Sequence, residues 1–351
     1  MFIIATIGHT SLSEDKVRKI VLADADILRY NFSYRVIKDN IEHIRTAERI
    51  IEELNSSVKI LIDMPVDKIR LGDFDTKTFA VRENEELTFK SAPYSPDCNQ
   101  FIPIEMHRLG DKTYVNQIIT IGDGEVSFEV KEIINNDTIK ARVLNNGVLH
   151  YMKTFNCGHT NTEEVVLNTY KKDFDIIQNI NPHLIAISYI NKDINEKIKQ
   201  LINSYNLSAK IIIKIERELG EYELELICRD QYYNMVLMDR GEIGVNMPYE
   251  KLGVYQKQIM AIARRFKKPA IVSTQILEST INNFIPSRSD ILDLTNIVLD
   301  GADGIMLCME TAANQRPIYT LSVARKIIVE AEKHKRIWGE NGRKQTTETT
   351  L

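Results

Sequence analysis

Short aliphatic runs recur along the chain at Phe2–Gly8, Asp26–Ser33, Val58–Pro65, His183–Ile190, Lys210–Glu216, Asn234–Gly241, Pro269–Ile276 and Gly304–Thr311. Most are apolar at consecutive rather than alternate positions, which is how a strand covered on both faces of a parallel sheet reads. Between them lie stretches with apolar residues at the helical period, such as Ser13–Ala23, Val36–Leu54, Ile194–Tyr205, Tyr249–Phe266, Asp290–Leu299 and Tyr319–Lys333. Eight strands alternating with helices predict an α/β fold, a (β/α)8 TIM barrel. In such a barrel the active site is built from strand C-termini and the loops that follow them.

The beat fails once, between about Asp73 and Cys157. The pattern there changes to short strands and turn signals: Glu86–Lys90, Gln117–Ile121, the Gly122-Asp123-Gly124 turn, Glu125–Glu132, the Asn135-Asn136-Asp137 turn and Thr138–Leu144. This predicts a small all-β lid domain inserted after barrel strand 3. The expected domains are a barrel over 1–72 and 158–338, a lid over 73–157 and a polar, Thr-rich flexible tail over 339–351.

Within the run Ile211-Ile212-Ile213-Lys214-Ile215-Glu216, two opposite charges interrupt an otherwise buried strand. Side chains alternate across a strand, so Lys214 and Glu216 share a face. Charges in such surroundings require a partner, a metal or a ligand. A plain internal ion pair and a functional site both stay open at this point.

Composition narrows the classes. The 351 residues carry 45 basic against 49 acidic side chains, and the isoelectric point is near 6.1. That balance offers no electrostatic footprint for nucleic acid or an anionic membrane. Cys98, Cys157, Cys228 and Cys308 are widely spaced, without a CxxC pair, and read as free thiols. The N-terminus lacks a basic leader region and no long apolar run occurs, so a cytoplasmic protein is expected.

Ordered motifs then point to a family. They are ATIG (Ala5–Gly8), NFS with its preceding arginine (Arg29, Asn31–Ser33), Ile69-Arg70 with Gly72, Gly122–Val130, KIE (Lys214–Glu216), RGEIGV (Arg240–Val245), TQILES (Thr274–Ser279), Val298–Leu307 and ETA (Glu310–Ala312). In this order they resemble the pyruvate kinase family over residues 3 to about 334. The resemblance implies phosphoryl transfer between phosphoenolpyruvate and a nucleotide of the ADP/ATP kind, a reaction catalysed mainly by positioning and charge neutralisation.

It also implies roles. Glu216 and Glu242 would hold Mg2+ or Mn2+. Lys214 would stabilise the phosphoryl group in transit and the enolate oxygen. Arg29 and Arg70 would clamp phosphate. Thr274 would stand near the enolate carbon, with a strand-end hydroxyl capping backbone as the alternative. Amides at Gly241 and the following turn would receive the substrate carboxylate. Tyr34 and Lys153 would serve the nucleotide, with Asn156 matching beside Lys153. Asn31, Ser33 and Asp63 match a monovalent-cation site.

Several positions depart from the family. Lys68 stands where potassium-dependent members carry glutamate, which predicts that K+ is dispensable; a solvated lysine is the alternative. Tyr34 replaces a histidine, His9 a proline, and Cys308-Met309 a Ser-Gly pair. Glu242 is one methylene longer than the usual aspartate. Asp239 replaces an alanine; facing a substrate carboxylate at about 4 Å, it would repel it by roughly 4 kcal/mol at an effective dielectric near 20. Either Asp239 points away or the ligand differs.

The family's C-terminal domain is not in the sequence, so regulation through it is not expected. The expected function is Mg2+-dependent phosphoryl transfer with phosphoenolpyruvate or a related enol phosphate, in a specialised pathway. Two alternatives stay open: a barrel turned to other 2-oxo acid or enolate chemistry, and a catalytically silent relative with a binding role. Small-molecule partners are expected, with a homo-oligomer through the barrel also open.

Overall fold

The structure is a computed structural model that describes residues 1–32, 37–64, 69–122, 124–158, 163–180 and 182–345. Eight parallel strands close a barrel: β1 Phe2–Thr6, β2 Ile27–Asn31, β3 Lys59–Asp63, β4 Leu184–Ser188, β5 Lys210–Ile215, β6 Tyr233–Asp239, β7 Ala270–Ser273 and β8 Gly304–Leu307. Each strand pairs with its sequence neighbours, and β8 returns to β1, with Ile3 opposite Ile305 and Ala5 opposite Leu307. The helices are α1 Glu14–Leu22, α2 Ile37–Glu53, α3 Glu163–Ile177, α4 Lys192–Ser204, α5 Glu221–Arg229, α6 Arg240–Asn246, α7 Leu252–Arg265, α8 Arg288–Asp300, α9 Met309–Ala312 and α10 Pro317–Gln345.

Closing the sheet leaves one face of every strand pointing inward, so its apolar residues need no partner outside the barrel. Ile4, Ile27, Leu61, Ala186, Ile212, Leu237, Ile271 and Met306 form this inner cluster, and each strand contributes at least one of them. The stretch Tyr249–Phe266 divides into a 3₁₀ turn at Tyr249–Lys251 and then α7. Helix α10 runs past residue 338, where the polar tail was expected to begin. The apolar period fades there, but Lys, Glu and Arg are good helix formers in their own right.

The chain divides into two compact units, one of residues 1–65, 170–243 and 247–351, the other of residues 66–169 and 244–246. In the second unit a six-stranded sheet runs in the order Phe155–Asn156, Ile118–Ile121, Val126–Asn135, Thr138–Val143, Glu86–Ser91 and Ile102–Ile104. The Val126–Asn135 strand outlasts the Glu125–Glu132 reading because register shifts at Val130/Glu132 and Ile133/Asn135 break its alternation. Within its mainly aliphatic core, Phe89 meets Phe128 edge-on at 5.0 Å and Phe155 at 6.1 Å. Among the described residues no helix is long and apolar enough to cross a membrane.

Phe89 is fully buried on this sheet. Phe89→Ala should therefore destabilise the second unit by about 3–5 kcal/mol. Amide exchange in Val126–Asn135 and Thr138–Val143 should accelerate, while the Lys210–Ile215 strand keeps its protection. Unchanged exchange in the two β-unit strands would contradict this packing.

Candidate active site

Two residues beyond the inner apolar layer, each barrel strand again faces inward, and there the chemistry changes. The positions are Thr6, Arg29, Asp63, Ser188, Lys214, Asp239, Ser273 and Cys308. Period-two geometry thus converts eight separate sequence positions into one polar ring at the C-terminal mouth.

Asp63 is its hub. Arg29 donates from Nε to Asp63 Oδ2 at 2.8 Å and from Nη1 to Thr6 Oγ1 at 3.0 Å. Lys214 Nζ lies 3.0 Å from Asp63 Oδ1 and 2.8 Å from Glu216 Oε1. Asp63 and Lys214 are only 2% and 4% exposed. Burial alone would push the Asp63 carboxyl up, but Lys214 and Arg29 hold it down at about 2. Burial likewise opposes both cations, and the carboxylates more than offset it: Asp63 keeps Arg29 above its ordinary value, and Asp63 with Glu216 raises Lys214 well above its own. All three charges are thus present at neutral pH.

Glu216 follows β5 with its side chain 20% exposed, and Glu242 lies in the first turn of α6, after the neighbouring strand β6. Among the described residues no cluster of three metal-ligating side chains occurs. Two carboxylates that follow adjacent barrel strands fit Mg2+ or Mn2+, which take one or two protein oxygens and leave their other positions to water or a ligand.

Asp239 does not point away. It caps α6, accepting from Gly241 N–H at 3.2 Å, and the Thr274 hydroxyl donates to the same Oδ1 at 2.8 Å. Thr274 therefore serves a side chain rather than the backbone. Its φ is +74°, and Gln275 follows at +54°. Such angles are strained for a β-branched residue and persist only where surroundings impose them.

Arg240 is what imposes them. Its guanidinium donates to the carbonyls of Ser273, Thr274 and Gln275 and forms a two-pronged pair with Asp293 at 2.9 Å on each oxygen. Sequence reading placed Arg240 in a motif but gave it no task, because its partners lie 16 to 53 residues away. Glu310 was missed in the same way. It is 1% exposed and accepts from Ile276 N–H at 2.9 Å and Cys308 N–H at 2.6 Å, tying the loop after β7 to the end of β8.

Asn31 ends β2. Arg70 and Lys153 belong to the second unit, where Arg70 donates to the Met152 carbonyl at 2.9 Å and Lys153 pairs with Glu125 at 2.7 Å. Asn156 there donates to the Gly122 carbonyl at 2.9 Å. Ser33, Tyr34 and Lys68 lie outside the described residues. All four cysteines are free, and burial pushes the Cys308 thiol up to about 12 despite the nearby Arg29.

A family model for the pyruvate kinase barrel domain matches residues 1–321. A pyruvate kinase of Thermococcus litoralis is 28% identical over 341 residues, 96% of this chain and 70% of that protein. Pyruvate kinase 2 of Synechocystis is 31% identical over 337 residues, 93% of this chain and 55% of that one. A crystal structure of Cryptosporidium parvum pyruvate kinase superposes with a TM-score of 0.86 at 26% identity, covering 94% of this chain and 70% of the other.

Glu310 gives the site a pH signature. Burial raises its carboxyl to about 7 from an ordinary 4.5, and hydrogen bonds from the backbone amides of Glu310, Cys308 and Ile276 only partly counter this. The folded chain thus keeps a proton that the unfolded chain releases. Stability from this group is complete below about 4.5 and is lost as pH rises through about 7. Denaturant midpoints measured at about pH 5 and pH 8 should show wild type losing up to about 1.4 kcal/mol per pH unit relative to Glu310→Gln. Parallel profiles for the two proteins would rule the assignment out.

Proposed function

Because the chain belongs to the pyruvate kinase family, we propose that it moves a phosphoryl group between an enol phosphate of the phosphoenolpyruvate kind and a nucleoside diphosphate, with Mg2+ or Mn2+. The chain is a phosphotransferase of the pyruvate kinase type; the substrate, metal and residue roles are the proposal. The observation that carries it is the buried Lys214 ammonium, ion-paired on one side to Asp63 and on the other to Glu216 at the mouth.

In this reaction the bond from phosphorus to the enol oxygen breaks and a bond forms to a terminal oxygen of the nucleotide. The enolate left behind takes a proton at carbon. Charge grows on the oxygen that leaves, so an ammonium already fixed and desolvated there stabilises the transition state more than the ground state. Asp63 fixes Lys214 from below, and Arg29 stands on the other side of the same carboxylate, ready for a phosphate oxygen. Glu216 and Glu242 would hold the divalent ion, whose charge, once bound, neutralises phosphoryl oxygens.

Lys214→Met should reduce kcat for transfer from phosphoenolpyruvate to ADP at least about 100-fold, since Met keeps the apolar stem and removes only the charge. Circular dichroism should show an intact fold; a folded variant with normal turnover refutes the role. For the metal, calorimetric titration of Mn2+ into wild type and Glu216→Gln should give at least about tenfold weaker binding in the variant. Equal affinities would remove Glu216 from the ligand set.

A further inference from the structure

Two donors at the mouth converge on one oxygen. The Gly241 amide in the first turn of α6, at 3.2 Å, and the Thr274 hydroxyl just after β7, at 2.8 Å, both end on Asp239 Oδ1. The arrangement is tight as well as convergent. A Cβ built on Gly241 would come within 3.0 Å of Thr274 Cγ2 and 3.4 Å of Asp239 Oδ1. Thr274 is held at its positive φ by Arg240, whose Nη2 meets the Thr274 carbonyl at 2.7 Å. Two preorganised donors aimed at a single acceptor make a receptor for a carboxylate oxygen. Here the chain fills that receptor itself.

Asp239 also shares the inner face of the barrel with the reacting charges. It stands two residues beyond Leu237 of the inner cluster, as Lys214 stands two beyond Ile212 and Asp63 two beyond Leu61. Its negative charge acts on both Arg29 and Lys214. Arg29 and Lys214 are already matched by Asp63 and Glu216, so Asp239 is a surplus anion in this layer.

We propose that Asp239 is a built-in carboxylate that determines specificity, so that the substrate is an enol phosphate whose group beside the phosphoryl-bearing carbon is uncharged, such as an amide, a hydroxyl or an alkyl group. This rests on the phosphotransfer reading for the word phosphate, and on Asp239 alone for the word uncharged. A second carboxylate within about 4 Å, at an effective dielectric near 20, would bind about a thousandfold more weakly than a neutral group of the same shape. A neutral donor meets the opposite situation, since the carboxylate oxygens of Asp239 accept hydrogen bonds.

The test compares oxalate with oxamate, which differ by one carboxylate replaced by a carboxamide. Both are titrated calorimetrically, with Mg2+, into wild type, Asp239→Ala and Asp239→Asn, the last keeping an acceptor for Gly241 and Thr274. Wild type should bind oxamate at least about tenfold more tightly than oxalate, and both variants should lose or reverse that order. Oxalate bound as well as oxamate by wild type, or an order unchanged in the variants, overturns the proposal. So does failure of all three proteins to bind either ligand. Turnover of phosphoenolpyruvate with ADP separates the two readings. A wild-type KM unchanged in Asp239→Ala overturns the role of Asp239 and leaves phosphotransfer standing. The oxamate preference without phosphoenolpyruvate turnover even by Asp239→Ala, in which the repelling charge is gone, overturns phosphotransfer and leaves Asp239 in its role.

Discussion

Asp63 lies between Arg29 and Lys214 where water hardly reaches, and each of these charges is tolerable only because the others are present. Removing one member of such a buried set typically costs about 3–5 kcal/mol, because it leaves an uncompensated charge in a poor dielectric. Replacing the whole set with aliphatic residues would cost far less. The ion network is therefore a poor way to stabilise a barrel and a good way to keep two cations permanently charged and fixed in direction. That dependence reaches outward: Glu216 meets the remaining side of Lys214, and Thr6 takes a guanidinium hydrogen of Arg29 while its own hydroxyl donates to the Leu307 carbonyl at 2.7 Å.

The barrel was legible because its signal is local. A strand inside a parallel sheet needs only a short aliphatic run, and the alternation that puts Lys214 and Glu216 on one face follows from pleating alone. The family resemblance singled out Arg29 and Asp63 without saying that they touch. What the sequence could not supply was convergence across the ring. Arg240 with Asp293, Glu310 with Ile276, and Asp239 with Thr274 join segments 34 to 53 residues apart, and no spacing rule operates over such intervals. In the all-β unit the obstacle was different: bulges in Val126–Asn135 disrupt the alternation by which a strand is recognised.

Strain and restraint occur together at Thr274. A β-branched residue resists left-handed backbone angles, yet the carbonyls of Ser273, Thr274 and Gln275 all accept from one guanidinium, itself anchored by a carboxylate on α8. Glu310 restrains the other end of the same loop through the Ile276 amide. The hydroxyl of Thr274 is thus aimed by two residues, Arg240 and Glu310, that have no need to touch a ligand themselves.

The closure of β8 onto β1 has a consequence for how the protein comes into being. Thr6 donates to Leu307, and Thr311 donates to the Thr6 carbonyl at 2.9 Å, across separations of 301 and 305 residues. Contacts so distant along the chain form late, because the loop they close is costly to order before they reward it. During synthesis the first strand must wait for almost the last one before its inner face is sealed. A nascent chain lacking β8 therefore carries an open sheet edge on β1 and an unfinished ring of charges. The barrel has to be complete through β8 before the ring of charges can act, and until then β1 offers an unpaired edge to whatever strand it meets.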